Sequence, residues 1–171
     1  ARACPECASP RTTPVSGARP PDTSTNTQRV LDPRNAWTMY SMLGDVIRRG
    51  TARAALSLKR KDLAGKTGTT NDFQDAWFAG FNRALVAVAW VGFDQLQPLG
   101  RGETGGKAAL PMWVDFMRTA LAGVPDELPP TPPDMVTARI DPHTGELAYP
   151  GQANAVVETF PVELAPVEPA E

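Results

Sequence analysis

Apolar positions along this chain fall into a few distinct rhythms. From Ala36 they recur at helical spacing through Met39, Tyr40, Leu43, Val46 and Ile47, with Asp32 able to cap the helix and Pro33 suited to its first turn. Arg48 and Arg49 favour the negative helix end, and Gly50 terminates the helix. A shorter helix follows over Thr51 to Leu58. The charged Lys59, Arg60 and Lys61 after it are expected on a solvated face. The rhythm then changes to strands. Leu63 to Thr70 is a polar strand and Ala76 to Phe81 a second, with Asn82-Arg83 as a tight hairpin turn, although Arg83 is not the glycine such turns prefer. Leu85 to Phe93 is apolar without alternation, which predicts a central strand covered on both faces. Ala108, Ala109, Met112, Trp113, Phe116, Met117, Ala120 and Leu121 form a second helical stripe able to cover the sheet. Trp77, Trp90 and Trp113 each lie in an apolar pattern and are expected in the core.

Beyond Val124 the pattern loosens. Pro125 to Pro133 reads as a linker, and Val136 to Ile140 and Glu146 to Tyr149 as two short strands. Asp141-Pro142-His143-Thr144-Gly145 joins them as a turn, and the chain frays after Phe160. The first 30 residues carry almost no large apolar side chain and read as a disordered loop. Only Pro98 and Pro111 of the 18 prolines fall between Arg34 and Val124, so the core-forming stretch is the middle of the 171 residues. These rhythms divide the chain into residues 1–30, 31–122, 123–160 and 161–171.

Charge and composition narrow the function. A formal net charge of -2 leaves no basic face suited to DNA or RNA. No run of about 18 apolar residues is present, so a membrane anchor or targeting signal is expected upstream of Ala1. Cys4 and Cys7 lack the further ligands a zinc site needs, so a local disulfide or an idle pair is expected, and neither metal nor cofactor. The single histidine, His143, sits in a predicted turn, which leaves no serine-histidine-aspartate triad within the chain.

One stretch concentrates chemistry. Lys66-Thr67-Gly68-Thr69-Thr70 sets an amine, a glycine and three hydroxyls along one predicted edge strand. Lys66 carries a charge that burial can tune, Thr67 and Thr69 can hold a carboxylate, and Gly68 lets a ligand reach the backbone. A polar edge strand that merely resists edge pairing would look similar. Gly65-Lys66-Thr67 also ends like a phosphate-cradling loop, but Arg60 stands where that loop needs glycine, and no helix follows.

The neighbouring segments distinguish these readings. Lys66-Thr67-Gly68, followed by Asp75-Ala76-Trp77-Phe78-Ala79-Gly80-Phe81, Leu85 to Phe93 and Gly105-Gly106-Lys107-Ala108-Ala109-Leu110-Pro111-Met112-Trp113, resembles the end of the transpeptidase domain of class A penicillin-binding proteins. The resemblance covers about Arg29 to Leu121 and runs more loosely to Phe160. It implies an α+β fold, the C-terminal part of the serine β-lactamase/transpeptidase-like fold, with an antiparallel sheet covered by helices and a small β-rich tail. It also implies a periplasmic protein at the inner membrane. Its substrates would be peptidoglycan stem peptides and its inhibitors β-lactams, and the upstream part of the same domain would be its partner. Lys66 and Thr69 would be catalytic, with Thr67, Gly68, Thr69 and Thr70 binding substrate.

Of the three motifs such enzymes share, only the lysine-threonine-glycine element is found. No serine is followed by lysine three positions on, and Ser24-Thr25-Asn26 lies too close to the strand, in a loop, to be the Ser-x-Asn element. The nucleophile is therefore expected upstream. A non-catalytic fragment or peptide-binding scaffold is the alternative, and a serine β-lactamase relative a further one. The resemblance also implies an absent strand beside Leu85 to Phe93, so the chain alone is expected to expose an apolar edge and aggregate.

Overall fold

The structure is a computed structural model, which describes residues 30–167. The predicted amino-terminal loop, the cysteine pair and Ser24-Thr25-Asn26 lie outside the described residues. Helix α1 spans Pro33–Arg48, and the Asp32 carboxylate accepts from Arg34 N–H at 2.8 Å, the cap its position predicts. Gly50 ends the helix through lack of bulk: a Cβ there would lie 2.8 Å from Val46 Cα. A 3₁₀ turn, Arg53–Leu58, follows.

Three strands, β1 (Ala64–Thr69), β2 (Ala76–Phe81) and β3 (Val86–Val91), form an antiparallel sheet in the order β1-β2-β3. Gly68 lies opposite Trp77, and Trp77 opposite Trp90. The β2–β3 connection differs from a two-residue hairpin. Asn82 N–H donates to Leu85 O at 2.9 Å, and the Asn82 side-chain oxygen accepts from Ala84 and Leu85 N–H. A two-residue turn of the favoured kind requires positive φ, which neither Asn82 nor Arg83 adopts.

A π-helical turn, Gly105–Ala109, leads into helix α2, Leu110–Ala120, which covers one sheet face. Trp113 is buried there, edge-to-face on Phe78 with ring centroids 4.8 Å apart, and its indole N–H donates to Ala87 O. A Cβ at Gly80 would stand 2.6 Å from the Trp113 ring, so only glycine lets the indole lie on the strand.

Two expectations about this sheet are corrected. β3 is the exposed edge strand that the resemblance implied, but it is not covered on both faces: Val86 is 70% and Val88 59% exposed, while Ala87, Ala89 and Val91 pack against the core. Trp77 and Trp90 are also not core residues. They pair on the sheet face opposite α2, at 42% and 44% exposure, with Trp90 Nε1 donating to Asp75. An unbroken apolar run predicts burial on both faces only when something covers the second face, and no described element covers it at β3.

In the charged run before β1, Lys59 and Lys61 are exposed as expected, but Arg60 is not. Arg60 is nearly buried and forks onto Asp62, which is 1% exposed, through Nε and Nη2 at 2.9 and 2.7 Å. Asn82 Nδ2 donates to the same carboxylate at 3.0 Å, and Tyr40 donates to the Asp62 carbonyl at 2.6 Å. Burial pushes the Tyr40 hydroxyl up to about 12, with the Asp62 charge adding to it.

The tail pairs differently from the predicted hairpin. Strand β4, Met135–Ile140, runs antiparallel to β5, Val156–Pro161, not to Glu146 to Tyr149. Leu147 makes only an isolated bridge to Ile140. The Asp141–Gly145 turn does form, with Gly145 N–H donating to Asp141 O and His143 exposed in it. The segment after it returns onto the end of β4, with Asp141 N–H donating to Glu146 O and Ala148 N–H to Arg139 O, while the full ladder is made with β5. Order also continues past Phe160: Val162 N–H donates to Asp134 O, and Glu163 pairs with Arg34 at 2.8 Å.

Candidate active site

β1 is an edge strand, and its local geometry decides what that edge offers. Thr70 N–H donates to Asp75 O at 3.1 Å, so alternation along the ladder makes Gly68–Trp77 and Lys66–Ala79 the hydrogen-bonded pairs. The N–H and C=O groups of Thr67 and Thr69 therefore point outward. Ala64 and Gly65 are buried, and exposure begins at Lys66.

Side chains divide between the two faces. Lys66 shares one face with Gly68, Trp77 and Trp90, while Thr67 and Thr69 lie on the other, toward the Gly105–Ala109 turn. The candidate residues are thus not side by side as a flat list suggests. They meet at the edge: Lys66 Nζ curls round to donate to Thr67 O at 2.9 Å. Thr67 Oγ1 lies 2.7 Å from Thr51 Oγ1, and Thr69 Oγ1 accepts from Gly105 N–H at 3.0 Å. The Thr70 hydroxyl accepts from Asp75 N–H at 2.8 Å and so closes the β1–β2 connection.

Two glycines make this arrangement possible. At Gly68 a Cβ would press on Trp77 Cβ at 3.2 Å, and the bare backbone leaves the edge open. At Gly105 a Cβ would collide with Trp77 O and Gly68 O, so the turn can seat its N–H against Thr69 only because it carries no side chain.

An edge strand with outward N–H groups, a cation on one flank and hydroxyls on the other can add an extended peptide and hold an anionic group at its end. Among the described residues no group of three or more His, Cys, Asp or Glu side chains could hold a metal.

No family model matches the chain. Curated relatives do. Penicillin-binding protein 1A of Pseudomonas aeruginosa is 53% identical over 142 residues, 83% of this chain. That of Neisseria lactamica is 54% identical over 100 residues, 58% of this chain. A 2.6 Å crystal structure of penicillin-binding protein 1A from Haemophilus influenzae superposes with a TM-score of 0.76 and 36% identity, covering 85% of this chain. The chain is a segment of the penicillin-binding protein 1A family. It spans 17% of the Pseudomonas protein, 12% of the Neisseria protein and 22% of the Haemophilus chain. The α+β architecture read from the sequence is the one this penicillin-binding protein match carries.

Sequence reasoning missed Thr51, Gly105 and the Arg60–Asp62 pair. Thr51 stands 16 residues from Thr67 and Gly105 36 from Thr69, so no local spacing links them. The Gly105-Gly106 doublet was the one visible signal, since paired glycines at a helix start imply close backbone approach.

Proposed function

We propose that this chain supplies the substrate-gripping edge of a peptidoglycan D,D-transpeptidase, working with a serine nucleophile carried by the rest of the parent protein. The observation that carries the reading is the outward-facing edge of β1, flanked by the Lys66 amine on one face and the hydroxyls of Thr67 and Thr69 on the other. A D-alanyl-D-alanine stem peptide, or a β-lactam in its place, lies along that edge as an added strand.

In this reading the serine oxygen attacks the penultimate carbonyl, expels the terminal alanine, and passes the acyl group to an amine on a neighbouring strand. Lys66 is the cation that orients the attacking side of the site and relays protons with a serine outside this chain. The Thr69 backbone N–H serves as one oxyanion donor, a contribution of about 3 kcal/mol in other serine enzymes. Thr67 and Thr69 donate to the carboxylate, Gly68 admits the peptide, and Thr70 holds the end of the strand. The parent works at the periplasmic face of the inner membrane, anchored from upstream, and needs neither metal nor cofactor.

Labelling of the full-length protein by a fluorescent penicillin tests this. Lys66→Ala and Gly68→Val are expected to abolish labelling while the protein stays folded. Wild-type labelling in either folded variant removes this edge from the site.

A further inference from the structure

Thr67 and Thr69 are not independent hydroxyls. A hydroxyl has one proton and two lone pairs, so what it offers outward depends on the role its internal partner takes. Gly105 N–H can only donate, and it donates to Thr69 Oγ1. The Thr69 proton is therefore left for whatever lies along the edge. Thr67 is matched with a second hydroxyl, Thr51 Oγ1, at 2.7 Å. When Thr67 gives its proton to an external acceptor, Thr51 is the group placed to donate into Thr67. The two bonds then polarise in the same sense.

Thr51 is held from both sides. Its neighbour Ala52 is fully buried and donates to Val46 O at 2.9 Å, which ties the residue to the end of α1. On the other side the Thr51 carbonyl packs so closely on Gly106 that a Cβ there would stand 2.9 Å away. The hydroxyl pair is thus fixed by two separate elements, the end of α1 and the turn that begins α2.

We infer that Thr51 and the backbone N–H of Gly105 are positioning groups, acting through Thr67 and Thr69, that support both hydroxyls as donors to a carboxylate lying along this edge. This rests on the proposed reading of the edge. Two positions on one face of a strand are about 6.6 Å apart, a span that two O–H···O bonds of about 2.7 Å can close across a carboxylate.

The test uses the full-length protein and two probes, benzylpenicillin and its methyl ester, which lacks the anionic carboxylate. Second-order acylation rates are measured for wild type, Thr51→Val, Thr51→Ser, Thr67→Val and the double variant Thr51→Val/Thr67→Val. Thr51→Val is expected to slow acylation by benzylpenicillin roughly five- to tenfold, and by the ester less than about twofold. Thr51→Ser restores the rate, and the double variant is no slower than Thr67→Val alone, because both act through one bond chain. Equal slowing with both probes, or wild-type rates with both, overturns the inference. If Lys66→Ala and Gly68→Val also label normally, the proposed function falls with it. If those two lose labelling while Thr51→Val is indifferent to the carboxylate, only the positioning role falls.

Discussion

Replacing Asp62 by alanine removes the acceptor for a guanidinium that has little access to water. Arg60 and Asp62 side chains are 12% and 1% exposed, and the pair is a bidentate fork with a third bond from Asn82. Breaking one partner of such a buried pair costs about 3–5 kcal/mol, because the surviving charge is left without its counter-ion. Arg60 keeps its bonds to Val124 O and Pro125 O at 2.8 and 2.7 Å, so the lower end of that range, about 3 kcal/mol, is expected.

The pH dependence follows from the same contacts. Burial alone pushes the Asp62 carboxyl up, but bonds from Arg60 and Asn82 more than offset it and hold the group below its usual 3.8. A carboxyl lowered on folding adds stability that is fully present above its unfolded value and is lost as pH falls through the folded one. The gap between wild type and Asp62→Ala is therefore widest near neutrality and narrows below about pH 4. Urea unfolding across pH, with midpoints compared at constant slope, measures it. A loss under about 1 kcal/mol at pH 7, or a gap that does not change with acid, refutes the reasoning.

Three further expectations follow from other parts of the molecule. Trp113→Ala deletes the ring that packs on Phe78 and Gly80 and should cost about 3–5 kcal/mol in the same urea experiment. The chain expressed alone should self-associate through the outer edge of β3, where Val86 and Val88 stand exposed; sedimentation should detect this, and Val88→Lys should suppress it. Loss of discrimination between benzylpenicillin and its ester in Thr51→Val tests the hydroxyl relay at the candidate site.

Much of the scaffold was readable because its signals are local. The Asp32 cap, the α1 stripe and the strands at Leu63 to Thr70 and Ala76 to Phe81 each depend on residues close in sequence. The apolar run of β3 was misread on burial because composition reports what a strand can tolerate, not which elements cover it. The tail was legible only in part: the Asp141–Gly145 turn and an Ile140–Leu147 bridge form as local signals imply, but the long ladder of β4 is made with Val156–Pro161, beyond the reach of a turn signal. At the site, the residue types on β1 were legible and their partners were not. Thr51 and Gly105 reach Thr67 and Thr69 only once α1 and the turn before α2 have packed against the sheet. Arg60 looked like surface charge because its partners, Asp62, Val124 and Pro125, include residues more than 60 positions away.

Residue-resolved amide exchange on the full-length protein, before and after acylation by a β-lactam, probes ligand pairing along β1 most directly. Outward N–H groups should gain protection when an acyl ligand lies along the edge, so exchange at Thr67 and Thr69 is expected to slow while Lys66 and Gly68, already paired to β2, change little. Complete acylation with unaltered exchange at both Thr67 and Thr69 would contradict the account.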